Sequence, residues 1–434
     1  MIFLLTFLVR AERLRLLSGT DLTFSTPTAY GQRSLDECIN IAFSLHAGNG
    51  FASSFWAGPT GPSAHCAPSF PAITASIFAI FGTGNTGGLV RDLVNIAGYS
   101  LVFSLLPLFA VRLGIPAAAG VVSGLAAALY PWYGFTEIMR GRDEWLAALI
   151  GMLLLLSALR MARSQQLTGT PALIYGAGWG ALMYVLPSMA TVLPVHLLII
   201  LFARKRTTGR RLAFSAIVLA AFLLVILPWT IRNHVVMGGW IFMRDDLGLE
   251  LAVSNGDGAH ATVDGNLASG WLCQVHPTCN PAATIEILQI GELEFNRRAM
   301  GRAVSWIRTH PSRFAGLTIR RAAAFWMGSR SSFRSMLMST ILTILGVAGL
   351  CLMWRKGLRT ETSLLAALWL VFPLAYYLVE RVDRYQVPIY PAILLPAGFA
   401  VISIYFALRN NILSGSKKRS TTLSFSGIIP LSVM

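Results

Sequence analysis

The chain has little charge. Asp, Glu, Lys and Arg make up 12% of its 434 residues, about half the roughly 25% of an ordinary soluble domain. Lysine is the scarcest basic residue: Lys205, Lys356, Lys417 and Lys418 complete the set, each beside arginines in a short loop or the tail. Asp and Glu number 19 against 35 Lys and Arg, a formal net charge of +16. That surplus forms no continuous basic stripe with interleaved aromatics, which argues against a nucleic-acid partner. Local metal motifs are also lacking, since the cysteines of "CQVHPTC" (Cys273 to Cys279) match no familiar zinc spacing. No internal repeat is visible. The opening "MIFLLTFLV" has neither the basic n-region nor the small-residue cleavage site of a secretory signal.

What fills the chain instead is apolar: 55% of residues are hydrophobic, and the mean hydropathy is +0.62. Runs near the ~20 residues that cross a bilayer occur at Val94–Val111, Ile115–Trp132, Trp145–Leu159, Leu212–Ile231, Met336–Met353, Ser363–Val379 and Ile389–Leu408. A longer run, Ala172–Ala203, is broken at Pro187 and Ser188 and reads as a hairpin of two short helices. The fold class expected is an all-α polytopic membrane protein with about nine to ten transmembrane helices. The opening run is too short to span, and the alternation of sides requires a crossing before Arg33; a truncated first span satisfies both.

Lys and Arg flank spans on the cytoplasmic face. With "ARKRTTGRR" (Ala203 to Arg211) placed there, Arg112, "RMAR" (Arg160 to Arg163), "WRKGLR" (Trp354 to Arg359) and "KKR" (Lys417 to Arg419) fall on the same side. The outer side then receives a first loop (33–93), the loop Tyr133–Glu144, and a segment of about a hundred residues (232–335). The membrane domain covers 1–408, and 409–434 is a basic cytoplasmic tail. Cys38 with Cys66, and Cys273 with Cys279, lie on the outer side, where either disulfides or free thiols fit.

Within "RSLDECINIAFSLHAGNGF" (Arg33 to Phe51), Leu35, Ile39, Ala42 and Leu45 or His46 recur at helical spacing. Ser34 followed by Glu37 reads as a capping box, and Gly48 as the left-handed stop. The expectation is a short amphipathic helix near the membrane surface. Asp36 in the first turn complements the helix dipole. Neighbouring helical residues do not face each other, so Asp36 and Glu37 are not a converging pair of acids.

This loop, continued by "GPTGPSAHCAPSFPAITASIFAIFG" (Gly58 to Gly82), resembles the first periplasmic loop of GT-C membrane glycosyltransferases, the relatives of protein O-mannosyltransferases and of the lipid A aminoarabinose transferase. "LPWTIRN" (Leu227 to Asn233), "WIRTHPSRFAGLTIRRAAAFW" (Trp306 to Trp326) and "DRYQVPIYP" (Asp383 to Pro391) resemble later passages of that family in the same order. The resemblance implies transfer of a sugar from a polyprenyl-phosphate carrier to a lipid, glycan or protein acceptor. It places the enzyme in a bacterial inner membrane, with the site facing the periplasm and membrane lipids around it. It points to Asp36 as the base that takes the acceptor hydroxyl's proton, and to a second carboxylate from "MRGRDEW", Asp143, with Glu37 and Glu144 as secondary acids. A guanidinium forks onto two phosphate oxygens, which selects Arg384 for the leaving phosphate, with Arg381 and Arg232 as alternates and Tyr385 in the same motif. The residues fix no cofactor and leave metal dependence open; Asp36, Asp143 and His65 are the candidate ligands of a divalent ion. The rival readings are a transporter or flippase of lipid-linked sugars, and a relative that has lost activity. Transporters place functional polar groups deep in their spans, whereas the charged residues here gather at outer span ends.

Overall fold

The structure, a computed structural model, describes residues 1–16, 22, 25–28, 31–55, 58–129, 142–165, 169–328 and 333–422, with backbone alone for 25–28, 31–32 and 411–422. Among the described residues helix accounts for 78% and strand for almost nothing, as apolar runs of helical length require. The chain opens on α1 (Ile2–Leu16). Its 15 residues extend about 22 Å at 1.5 Å per residue, short of a bilayer core of about 30 Å. An antiparallel hairpin follows, β1 (Ser25–Thr28) on β2 (Gly31–Ser34). Its polar sequence has no apolar alternation that would have announced it.

Next come α2 (Glu37–His46), α3 (Ser69–Phe81), α4 (Asn85–Ser104), α5 (Leu106–Arg112) and α6 (Ala117–Leu129). After them run α7 (Glu144–Arg163), α8 (Gly169–Val185), α9 (Leu193–Phe202) and α10 (Thr208–Met237). A 3-10 turn, Pro187–Val192, separates α8 from α9 where the prolyl break is expected. The segment after α10 folds as α11 (Leu247–Ser254), α12 (Val263–Ala268), α13 (Leu272–Val275), α14 (Pro281–Ile290), α15 (Glu292–Thr309) and α16 (Pro311–Met327). The chain ends with α17 (Phe333–Arg355), α18 (Arg359–Leu370) and α19 (Tyr390–Thr422), with 3-10 turns at Phe372–Tyr377 and Asp383–Ile389.

Among the described residues five helical stretches are long and apolar enough to cross a membrane: Asn85–Arg112, Glu144–Arg163, Thr208–Met237, Phe333–Arg355 and Asp383–Asn410. The other expected spans are shorter. Ile115–Trp132 contributes the 13 residues of α6, Ala172–Ala203 is split, and Ser363–Val379 is a 12-residue helix followed by a 3-10 turn. On α10 the side chains of Leu212, Leu219, Leu223, Leu224 and Leu227 all stand exposed, as do Leu337, Ile341, Ile344 and Val347 on α17. Contiguous apolar faces of that size are stable against hydrocarbon and not against water.

The main core joins residues of α4 to α9 with α18, α19 and the turn at Phe372. Small residues let helices close: a Cβ on Gly349 of α17 would overlap the Pro396 carbonyl of α19. The segment after α10 is tied back to the C-terminal half. Arg381 N–H donates to the Ala261 carbonyl at 2.9 Å, and Val263 N–H to the Arg381 carbonyl at 3.2 Å. Both cysteine pairs are disulfides, Cys38–Cys66 and Cys273–Cys279, which settles the choice left open by the sequence.

The expected amphipathic helix is covered by protein on both faces. From Cys38 through Ser44 every residue of α2 is buried, including Asn40 and Ser44. The apolar stripe is present, but the polar side is covered too: Asn40 Nδ2 donates to the carbonyls of Ser34 at 2.8 Å and Ser54 at 2.9 Å. Satisfying the amide this way is what permits burial on all sides.

Candidate active site

The site begins at the first turn of α2. Asp36, not Ser34, is the N-cap: its Oδ1 accepts from Cys38 N–H at 2.9 Å and Ile39 N–H at 3.1 Å. Ser34 Oγ accepts from Asp36 N–H instead, at 3.1 Å, while Ser34 N–H donates to Asn40 Oδ1 at 2.6 Å. The capping box expected of Ser34 and Glu37 is therefore absent: Asn40 takes the Ser34 N–H that Glu37 would accept, and Ser34 Oγ accepts from Asp36 N–H. Gly48 does adopt the left-handed conformation after the helix, with φ 79°.

Freed from capping, Glu37 faces other partners. Oε1 accepts from Thr278 Oγ1 at 2.6 Å, and Oε2 lies 3.4 Å from Arg142 Nη2. Arg142 reaches in from the segment before α7 and donates to Asp36 Oδ2 from Nε at 3.2 Å and Nη2 at 3.0 Å. The same guanidinium lies 5.9 Å from the Phe70 ring centroid. Burial opposes ionisation of Glu37, but His276, Arg142 and the Thr278 hydroxyl together hold its carboxyl below the ordinary value.

Asp143 and Glu144 stand at the head of α7. Asp143 accepts a hydrogen bond from Ser69 Oγ, at the start of α3. Burial pushes its carboxyl up to about 7; the Ser69 bond offsets part of that rise, and neighbouring Glu144 adds to it. Glu144 Oε1 accepts from Arg384 Nη1 at 3.0 Å, and Oε2 from the Arg142 backbone N–H at 2.6 Å. Arg244 donates to the His65 carbonyl at 2.8 Å and to Asp246. Arg142, Asp143, Glu144, Arg244 and Arg384 line one cavity of about 30 Å³ with Cys38, Phe70 and Leu186. Three guanidiniums thus converge on a small space between three parts of the chain, each neutralised by a carboxylate of its own.

Of the residues singled out from sequence, Asp36, Glu37, Asp143, Glu144 and Arg384 are brought together. Tyr385 is adjacent, its ring 4.3 Å from Tyr376, whose hydroxyl meets Ser188 Oγ at 2.6 Å. Arg232 lies elsewhere: it donates to the carbonyls of Ser63 and Phe51, both at 2.7 Å, and braces α10 against the stretch 51–63. Arg381 pairs with Asp383. His65 is buried against the Phe55 ring at 5.2 Å, and burial pushes its imidazole down to about 3, so it stays neutral. Asp36, Asp143 and His65 do not form the expected ligand set. Among the described residues no group of three or more His, Cys, Asp or Glu side chains could hold a metal ion. Arg142 and Arg244 escaped the sequence reading; a guanidinium at a span end looks the same whether it anchors to lipid or reaches a carboxylate from a distant loop. The loop residues 133–141 lie outside the described residues.

A second acidic group lies behind the first. Glu292 is buried and Asp245 half-buried, with both Asp245 oxygens lacking a hydrogen-bond partner among the described residues. Burial and then the Asp245 charge hold the Glu292 carboxyl well above its ordinary value. Glu292 Oε1 accepts from Ala64 N–H at 2.8 Å and Ser63 Oγ at 3.0 Å, locking the start of α15 to the stretch ahead of α3.

Neither a family model nor a curated protein sequence matches the chain. Solved structures do. The oligosaccharyltransferase of Archaeoglobus fulgidus, tethered with an acceptor peptide containing the NVT sequon, matches over 94% of this chain and 50% of its own, at 12% identity and a TM-score of 0.53. Its apo form matches over 95% and 52%, at 14% identity and a TM-score of 0.51. ArnT from Cupriavidus metallidurans, bound to undecaprenyl phosphate, matches over 84% and 73%, at 15% identity and a TM-score of 0.38. The chain spans about half the length of the archaeal enzyme, 50% in one structure and 52% in the other. The likeness to the oligosaccharyltransferase covers nearly all of this chain and is a likeness of backbone. What the chain shares with the archaeal oligosaccharyltransferase is therefore its fold.

Proposed function

We propose that the protein transfers a sugar from a polyprenyl-phosphate carrier to an acceptor hydroxyl at the outer face of a bacterial inner membrane. The observation that carries this is the convergence of Arg142, Arg244 and Arg384 on one cavity with Asp143 and Glu144. Guanidiniums bind phosphate oxygens in pairs and never deprotonate. Opposite charges arranged before the reaction stabilise the charge that develops during it. A carrier's prenyl tail lies in the bilayer and its phosphate at the rim, so the catalyst must sit at an outer span end. In this reading the domain runs over 1–408, with the loop 33–93 and segment 232–335 outside and 409–434 inside. Its short apolar helices complete about nine to ten crossings in concert with the five long ones.

The roles divide by availability. Asp36 spends one oxygen on the α2 cap and the other on Arg142, so it positions Arg142. Asp143 lines the cavity and, at about 7, is matched to taking a proton near neutral pH. It is the base in this reading. The acceptor oxygen attacks the anomeric carbon and yields its proton to Asp143; the bond from that carbon to the carrier phosphate breaks, and the phosphate leaves toward Arg384 and Arg244. Each arginine of this cavity is already paired with a carboxylate, so the substrate phosphate enters in competition with those carboxylates. Nothing in the donor set of Asp36, Asp143 and His65 supports a step through a metal.

The test is transfer itself. The full chain in lipid nanodiscs is given polyprenyl-phosphate sugars, and sugar release and transfer are followed. Turnover that falls to background in Arg384→Ala supports the reading. A folded wild-type protein that neither binds undecaprenyl phosphate nor consumes any such donor overturns it. Lipid and glycan profiling of a strain lacking the gene then identifies the acceptor.

A further inference from the structure

The segment "CQVHPTC" takes no part in the chemistry above, yet it touches the site. Its ends are joined by the Cys273–Cys279 disulfide. Thr278 N–H donates to His276 Nδ1 at 3.2 Å, which leaves the neutral ring's proton on Nε2, 3.9 Å from Glu37 Oε1. Thr278 Oγ1 donates to that same oxygen at 2.6 Å. The ring is braced from behind: Thr284 Oγ1 donates to the Pro277 carbonyl at 2.9 Å, and Asn280 Nδ2 to the Gln274 carbonyl at 2.6 Å. A disulfide, two braces and a short bond converge on one carboxylate oxygen.

We infer that this disulfide-closed loop is a clasp that positions Arg142 through Glu37, with the Thr278 hydroxyl as its positioning group. The inference rests on the reading of the cavity as a phosphate site. With Oε1 engaged by the clasp, Glu37 offers Arg142 only Oε2, at 3.4 Å. Asp36 meanwhile holds Nε and Nη2 at 3.2 and 3.0 Å. Arg142 Nη1 has no partner among the described residues, so the guanidinium enters the cavity wall with a donor to spare. Without Thr278, Oε1 of Glu37 is released beside a guanidinium that Oε2 already meets, and carboxylate and guanidinium prefer the two-point fork. Glu37 then draws Arg142 away from Asp36 and takes the donors a phosphate would use. The clasp keeps one carboxylate busy so that the arginine stays available.

Binding of radiolabelled undecaprenyl phosphate to the detergent-solubilised full chain tests this. Thr278→Val is expected to weaken binding about tenfold, and Thr278→Ser, which keeps the hydroxyl, to retain wild-type affinity. In a Glu37→Gln background Thr278→Val is expected to change affinity by less than about twofold, because an amide cannot form the charged fork. The double variant Cys273→Ser, Cys279→Ser should weaken binding in the same direction as Thr278→Val. A merely structural loop would lower affinity equally in both backgrounds, and that result overturns the clasp while leaving the phosphate site standing. Wild-type affinity in a folded Thr278→Val protein overturns it as well. Absence of binding by folded wild-type protein removes the phosphate site and the clasp together.

Discussion

Asp36 and Arg142 are 106 positions apart in sequence and meet through two hydrogen bonds, Nε and Nη2 both donating to Oδ2. The contact joins the N-cap of α2 to the chain just ahead of α7. Removing the cation leaves Asp36 and Glu37, consecutive carboxylates, without the charge that both share. Arg142→Ala is expected to destabilise the protein by about 2–3 kcal/mol, less than the ~3–5 kcal/mol of a fully buried pair, because the Asp36 side chain is 28% exposed. Arg142→Lys should recover less than half of this, since an ammonium cannot form the fork. Thermal unfolding in one detergent, read for all three proteins, checks both statements.

The two acids should separate in kinetics. Asp143→Asn is expected to lower turnover by about 10²–10⁴-fold while carrier binding holds. Wild-type activity should rise with pH through about 7, where Asp143 becomes ionised. Asp36→Asn keeps an oxygen to cap α2 but loses the charge facing Arg142, so its effect should fall on donor KM more than on kcat. The opposite pattern, turnover lost in Asp36→Asn and kept in Asp143→Asn, would return the base to Asp36.

The sequence made the apolar runs legible because hydrophobic length is a local property, and α7, α10 and α17 sit where those runs lie. The break at Pro187 was legible for the same reason. The cap of α2 was misplaced by two residues because Ser34 and Asp36 are both good caps. What decided between them was Asn40 turning back onto Ser34, a contact no spacing rule contains. Arg142, Arg244, Thr278 and His276 were invisible as site residues, since each acquires its role from a partner far along the chain. The hairpin of β1 and β2 was missed because its pairing carries no apolar alternation.

Buried acids give stability a definite pH dependence. Burial pushes Asp245 up to about 6 and Glu250 up to about 8, with Asp246 and Glu380 adding to the rise at Glu250. Above the ordinary values of 3.8 and 4.5 the unfolded chain releases protons that the folded chain keeps. Stability therefore falls as pH rises from about 5 toward 8. Glu37 works the other way: its lowered value gives stability present above 4.5 that is lost on acidification. Unfolding midpoints should peak near pH 5, and Glu250→Gln should flatten the decline above pH 6.

The disulfides predict a thiol count and a ranking. Of five cysteines, four are paired and Cys351 is free. Denatured, unreduced protein should therefore titrate with one thiol. Cys38–Cys66 closes a separation of 28 residues and Cys273–Cys279 one of 6. Loop-closure entropy assigns them about 3.6 and about 2.4 kcal/mol respectively. Replacing Cys38 and Cys66 by alanine should lower the unfolding midpoint more than replacing Cys273 and Cys279, in parallel melts without reductant.

Two glycines in helix interiors should respond to the same substitution with opposite signs. Helix propensity alone favours alanine over glycine by about 1 kcal/mol at any such position. At Gly301 in α15 an added Cβ meets no atom within 4 Å, so Gly301→Ala should stabilise by most of that amount. At Gly349 the new Cβ overlaps the Pro396 carbonyl and forces α17 away from α19. A backbone atom cannot swing aside as a side chain can, so overpacking of about 1–3 kcal/mol outweighs propensity and Gly349→Ala should destabilise. Paired unfolding midpoints for the two variants decide whether the close approach of these helices sets the packing of the membrane core.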